Sequence, residues 1–166
     1  KVTDRANVPT DAEAVFLNVV AVNPSGPGYL TVFPCGTTPP NAANVNYIGG
    51  DVAANAVLAK IGDGGKICVF TLAETDLIID VNGYAPAGTA TQSVEPGRIY
   101  ESRSGNPTYV TVDGQSEGDG RTPASGVAEI KVTDRANVPT DAEAVFLNVV
   151  AVNPSGPGYL TVFPCG

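Results

Sequence analysis

The apolar positions of this chain fall in short runs cut by glycine and proline, and the longest run occurs twice. Residues 14–23, AVFLNVVAVN, are apolar on both faces, with Asn18 the one interruption inside the run. Periodicity alone does not separate such a run from a buried helix. Its β-branched content and the Pro24-Ser25-Gly26-Pro27-Gly28 stop that follows argue for a strand, since proline cannot continue a helix. Thr10-Asp11-Ala12-Glu13 has the form of a capping box, a competing helix signal, but no helical period follows it. Residues 29–35 alternate, with Tyr29, Thr31 and Phe33 on one side and Leu30 and Val32 on the other. The two runs read as a hairpin in the middle of a sheet.

Further strands are predicted over 44–48, 55–61, 66–72, 75–81, 109–112 and 127–133. Residues 66–72 read as a central strand, with Ile67 and Val69 facing one way and Cys68 and Phe70 the other. Between 55–61 and 66–72 stands Gly62-Asp63-Gly64-Gly65, a tight turn whose glycines accept positive φ. In 127–133, Ala128, Ile130 and Val132 alternate with Glu129, Lys131 and Thr133, the pattern of a half-exposed strand. The spacing of turn signals predicts an all-β chain, an antiparallel two-sheet sandwich of jelly-roll type, with about nine short strands per period. A trefoil-like barrel is the alternative, but no threefold repeat lies within a period.

Residues 1–36 and 131–166 are identical, an offset of 130 residues. That is the pattern of a tandem array, one full period plus the opening of the next. Residues 85–97, APAGTATQSVEPG, are the one stretch that reads as a linker. The expected organisation is therefore 1–84 as the back part of one repeat domain, 85–97 as linker, and 98–166 as the front part of the next. The chain begins mid-pattern, so it reads as a fragment or processed piece of something longer.

The apolar fraction of 43% supports a real core, and 17 acidic against 9 basic residues give a net charge of −8 with no histidine. Such a charge repels phosphate backbones and anionic membranes, so nucleic acid is not an expected partner. No apolar run has the length of a membrane span, so no membrane insertion is expected. The absence of Met, Trp and His beside abundant Thr, Asn, Val, Gly and Pro points outside the cell. Cysteine occurs at 35, 68 and 165, and Cys165 is the repeat copy of Cys35. Each period thus owns two, which suggests one Cys35–Cys68 disulfide per domain; two buried free thiols are the alternative. Closing that loop would stabilise the fold by roughly 3–4 kcal/mol on the chain-entropy model. Cys165 is the candidate for a disulfide between subunits.

The chain resembles the tandemly repeated extracellular β-domain of secreted and surface proteins of actinobacteria and related bacteria. Arg98-Ile99-Tyr100-Glu101-Ser102-Arg103 matches the Arg-x-x-(Asp/Glu)-(Ser/Thr)-Arg opening of those domains. Thr111-Val112-Asp113-Gly114 and Gly118-Asp119-Gly120-Arg121 match their TVDG…GxGR loop. Residues 138–149 and 158–166, with their copies near the start, match a VPxxAxAVxLNV run and a GxLTVxPCG strand. Asn44-Val45-Asn46-Tyr47, Lys66-Ile67-Cys68-Val69 and Asp80-Val81-Asn82-Gly83-Tyr84 complete the order. The resemblance covers nearly the whole chain. It implies export, tandem arrays and structural or appended roles, and it implies no catalytic residues.

Candidate chemistry is sparse. Asp113, Glu117 and Asp119 lie on a glycine-rich loop where Ca²⁺ could find hard oxygens, although the spacing fits no EF-hand; a solvated acidic turn is the plainer reading. Glu74, Asp76 and Asp80 offer carboxylates, but on a strand Asp76 and Asp80 stand about 13 Å apart, too far for either glycosidase geometry. Without histidine, and with no Ser or Cys beside a base, nucleophilic catalysis has no residues to use. Proline at the middle position excludes Asn23-Pro24-Ser25 and Asn106-Pro107-Thr108 as glycosylation sites. Tyr47, Tyr84, Tyr100 and Tyr109 could stack on sugar rings, or cap a core. The expected function is a structural repeat module of an extracellular stalk, adhesin or filament, joining to itself head to tail, without enzyme activity or cofactor. The alternative is a carbohydrate-binding module of a secreted protein, with glycans as partners.

Overall fold

A computed structural model describes residues 1–88, 91–158 and 160–165. Among them are six strands and no helix: β1 (Ala14–Val22), β2 (Gly28–Pro34), β3 (Val45–Tyr47), β4 (Val52–Lys60), β5 (Ile67–Thr71) and β6 (Asp76–Ala85). They form two antiparallel three-stranded sheets, ordered β4-β1-β6 and β3-β2-β5. The fold is an all-β sandwich with fewer strands than the turn spacing suggested.

The repeated stretch supplies the central strand of both sheets. β1 and β2 do not pair with each other, so the expected hairpin is not formed. A hairpin would place both strands in one sheet. Each strand is apolar enough to be flanked on both edges, so each takes the middle of a different sheet. The link between them turns a corner: Asn23 adopts a left-handed backbone, φ 48°, which Asn tolerates through local hydrogen bonding. Prolines 24 and 27 have no N–H to give to a hairpin ladder. The corner is fixed from outside, with Asn23 N–H donating to Asp51 O at 2.8 Å, Ser25 N–H to Glu74 O at 2.8 Å and Gly50 N–H to Pro24 O at 2.8 Å.

Val15, Leu17, Val19 and Ala21 of β1 face Leu30 and Val32 of β2 in one core, with Val45, Tyr47, Val57 and Ala59 around them. Residues 66–72, expected to be central, instead give the edge strand β5. Its alternation is as read: Val69 pairs with Val32 and Cys68 with Phe33. The strand expected over 75–81 runs on to Ala85 through a bulge at Asn82, since Phe16 pairs with Gly83 and Leu17 with Val81. No helix follows the capping-box residues. Glu13 instead enters the sheet, its N–H donating to Ala85 O and its carbonyl accepting from Ile61 N–H.

The 62–65 turn carries the chain from one sheet to the other. A Cβ at Gly62 would lie 2.2 Å from Cys35 O and 2.3 Å from Cys35 N, so only glycine fits against that backbone. Cys35 and Cys68 are disulfide-bonded, with Cα atoms 5.0 Å apart, joining the end of β2 to β5.

Residues 109–112 and 127–133 form no strand. Neither does 144–158 nor 160–165, whose sequence builds β1 and β2 in the first copy. A strand is completed by its neighbours, and the partners over 45–85 are already taken by the first copy.

Candidate interaction surface

The region after residue 97 is held by ion pairs instead of strands. Glu101 is buried and accepts three contacts from Arg103: its N–H at 3.1 Å, Nε at 2.8 Å and Nη2 at 2.7 Å. Arg98 Nη1 adds a fourth at 3.1 Å. The hydrogen bonds from Arg103 hold the Glu101 carboxyl below its usual range, against the opposing effect of burial. The Arg103 guanidinium also lies 3.9 Å from the Tyr109 ring centroid, a cation–π contact.

The second pair lies next to it. Arg135 is buried, and it meets Asp113 in fork geometry, Nε to Oδ2 at 2.7 Å and Nη2 to Oδ1 at 2.8 Å. Nη2 also donates to Gln115 O at 3.0 Å and Nη1 to Lys131 O at 3.1 Å. The hydrogen bonds from Arg135 drive the Asp113 carboxyl well below the ordinary carboxylate range. An open crevice of about 770 Å³ runs past this pair, between Pro40-Asn41 and the loop from Asp134 to Pro139. Asn41 Nδ2 ties its side of the crevice to the 108–110 segment by donating to Val110 O at 3.1 Å and Thr108 O at 3.3 Å.

The three acidic residues named as calcium candidates have different surroundings. Asp113 gives both oxygens to Arg135. Glu117 Oε1 accepts from the N–H and the hydroxyl of Thr111. Asp119 lies instead in a shallow pocket with Tyr100. Among the described residues no group of three or more acidic, Cys or His side chains is placed to hold a metal. Arginine supplies the positive charge, and sequence reasoning missed it. The signal was the spacing of Arg98, Glu101 and Arg103, which keeps two cations within reach of one carboxylate.

The tyrosines separate. Tyr47 is buried, its hydroxyl 2.7 Å from Thr71 Oγ1 and accepting from Ala73 N–H at 2.9 Å. Its ring covers Gly28, where a Cβ would come within 2.7 Å of the hydroxyl. Tyr109 lies under Arg103. Tyr84 is exposed and Tyr100 half-buried. Asp80 accepts from Asn18 Nδ2 at 3.2 Å, across the β1–β6 pair.

Two apolar surfaces remain open. Phe146, Leu160, Val162 and Phe163 are exposed by 73%, 61%, 68% and 56%, whereas Leu30, Val32 and Phe33 of the first copy are buried. The second copy meets the sandwich through the edge-on rings of Phe16 and Phe146, 6.1 Å apart, and through Asn55 Nδ2 of β4 donating to Asn148 Oδ1 at 3.0 Å. On β6, Leu77 and Ile79 are exposed although they pair with the buried Ala21 and Val19. Paired residues share a sheet face, so the opposite sheet leaves this part of the inner face uncovered. β6 is also an edge strand, with unpaired backbone groups along one side. Cys165 is exposed and unbonded. No helix is long and apolar enough to cross a membrane among the described residues. No protein-family model, curated protein or solved structure matches this chain.

Proposed function

We propose that this chain is a structural repeat module of an extracellular stalk, adhesin or filament, associating end to end with further copies of itself. One observation carries the proposal: the sequence that forms both central strands is present a second time with its apolar side chains exposed and no sheet partners. Exposed apolar strand-forming sequence beside an open sheet edge is a template for pairing with another chain. A contact of unlike surfaces need not close, so it extends into a filament. The Cys35–Cys68 bond and the resemblance to repeated extracellular domains support export. A covalent link from Cys165 to Cys68 of a neighbour would require thiol exchange at that bond.

A carbohydrate-binding role has thinner support, because Tyr47 is buried in the core and Tyr109 is covered by Arg103. Sedimentation velocity with negative-stain electron microscopy tests the leading proposal. Assemblies that lengthen with protein concentration are expected, and a single monomeric species at every concentration would sink it.

A further inference from the structure

The loop built on residues 4–8 occurs twice with one backbone. Asp4, Ala6 and Asn7 have φ of 58°, 48° and 61°, and Asp134, Ala136 and Asn137 have 60°, 47° and 62°. Asp4 N–H donates to Val8 O at 2.7 Å and Asp134 N–H to Val138 O at 2.8 Å. Lys1 meets Asp4 at 3.6 Å and Lys131 meets Asp134 at 3.8 Å. The two loops differ in what their arginine holds. Arg135 is buried against Asp113 and Gln115 O. Arg5 is exposed, its Nη1 donating to Lys1 O at 3.3 Å, and no described carboxylate faces it.

The Arg5 loop is also firmly seated. Val2, Thr3 and Val8 are buried in the sandwich, and Val2 N–H donates to Gly65 O at 2.8 Å. It therefore holds the geometry that binds an Asp113 loop in the other copy, before any such loop arrives. Preformed geometry lowers the ordering cost of association.

We propose that the Arg5 loop is a docking site for residues 111–117 of a second copy of this chain, with Asp113 of that copy forking onto Arg5 as it forks onto Arg135 within one chain. This rests on the reading that copies associate through their repeated segments. Within one chain the Arg135 loop competes, because a 22-residue separation gives it a high effective concentration around Asp113. Asp113 reaches a second copy when Arg135 releases it.

The test uses full chains in sedimentation velocity, with the Cys35–Cys68 bond checked by mass as a control of folding. Arg135→Ala frees the Asp113 loop, and its dimerisation should be at least about tenfold tighter than wild type. Adding Arg5→Ala or Asp113→Asn to that variant should abolish the gain. A monomeric Arg135→Ala chain, or an association indifferent to Arg5→Ala, overturns the proposal. Should Arg135→Ala fail to fold, a charge exchange decides. Asp113→Arg and Arg5→Asp chains should associate more tightly when combined than either does alone, and no gain on mixing overturns it. The outcomes separate from those of the filament reading. Wild type that stays monomeric sinks that reading while Arg135→Ala still reports on Arg5. Wild type that assembles while Arg135→Ala ignores Arg5 keeps the reading and removes this contact.

Discussion

Glu101 shows how one carboxylate can organise a stretch without secondary structure. It is buried, it draws in Arg98 and Arg103, and its N–H donates to Ser116 O at 3.0 Å, which brings the acidic loop alongside. The Arg103 hydrogen bonds depress its folded pKa below the ordinary value of 4.5. A depressed carboxyl binds its proton later in the folded than in the unfolded chain as pH falls. Its contribution is therefore complete above about pH 4.5 and is lost as pH drops through the folded value. Asp113, depressed by Arg135, acts with the same sign. Urea midpoints should accordingly fall between neutral pH and pH 3, and Glu101→Gln should flatten that slope while lowering stability at pH 7. An unchanged slope would remove Glu101 from this role. The spacing of Arg98, Glu101 and Arg103 made the pairing available, but burial of Glu101, which the sequence does not show, separates a paired carboxylate from a solvated one.

β1 and its copy give a controlled comparison, since one sequence occupies two environments. Leu17 is 1% exposed and Leu147 is 46% exposed. Leu17→Ala should cost about 2–5 kcal/mol, from lost transfer energy and the cavity left behind. Leu147→Ala should stay within about 0.5 kcal/mol in the monomer, as for surface positions. Equal effects in chemical denaturation would mean that the second copy is packed in solution. The disulfide belongs to the same scale, since it ties the end of β2 to the edge strand β5. Replacing Cys35 or Cys68 with Ser should lower stability by about 2–5 kcal/mol, whereas Cys165→Ser should leave it unchanged. Unfolding curves of the three variants check this, and a costly Cys165→Ser would contradict its free, exposed state. Alternation in 29–35 and 66–72 and the β-branched run at 14–23 made these strands legible. Their placement was not legible, because apolarity on both faces fits a central strand of either sheet.

At the scale of the whole molecule, the repeated stretch is the axis and residues 45–85 wrap it with both pairs of edge strands. Sequence could state that residues 14–34 recur; it could not state which copy would be used. Chain order favours the first copy for β3, β4 and β5, which lie nearer to it in sequence, since short closures are favoured over long ones. The loops behave otherwise. Asn23 and Asn153 share φ 48°, and the loops at 4–8 and 134–138 match in dihedrals and hydrogen bonds although one is seated on the sandwich and the other holds Asp113. The hydrogen bonds of the 4–8 and 134–138 loops close within a few residues, so the local sequence determines these loops wherever they stand. The hydrogen bonds of β1 reach to β4 and β6, across about 30 residues at Val22–Val52 and about 70 at Ala14–Ala85. The same AVFLNVVAV is therefore a strand in one copy and a largely exposed segment without strand pairing in the other. What the sequence alone determined are the turns, the corners and the capacity for strand. Which apolar run becomes the core was decided by tertiary structure, because a β-strand acquires its hydrogen bonds and its burial only from neighbours remote in the chain.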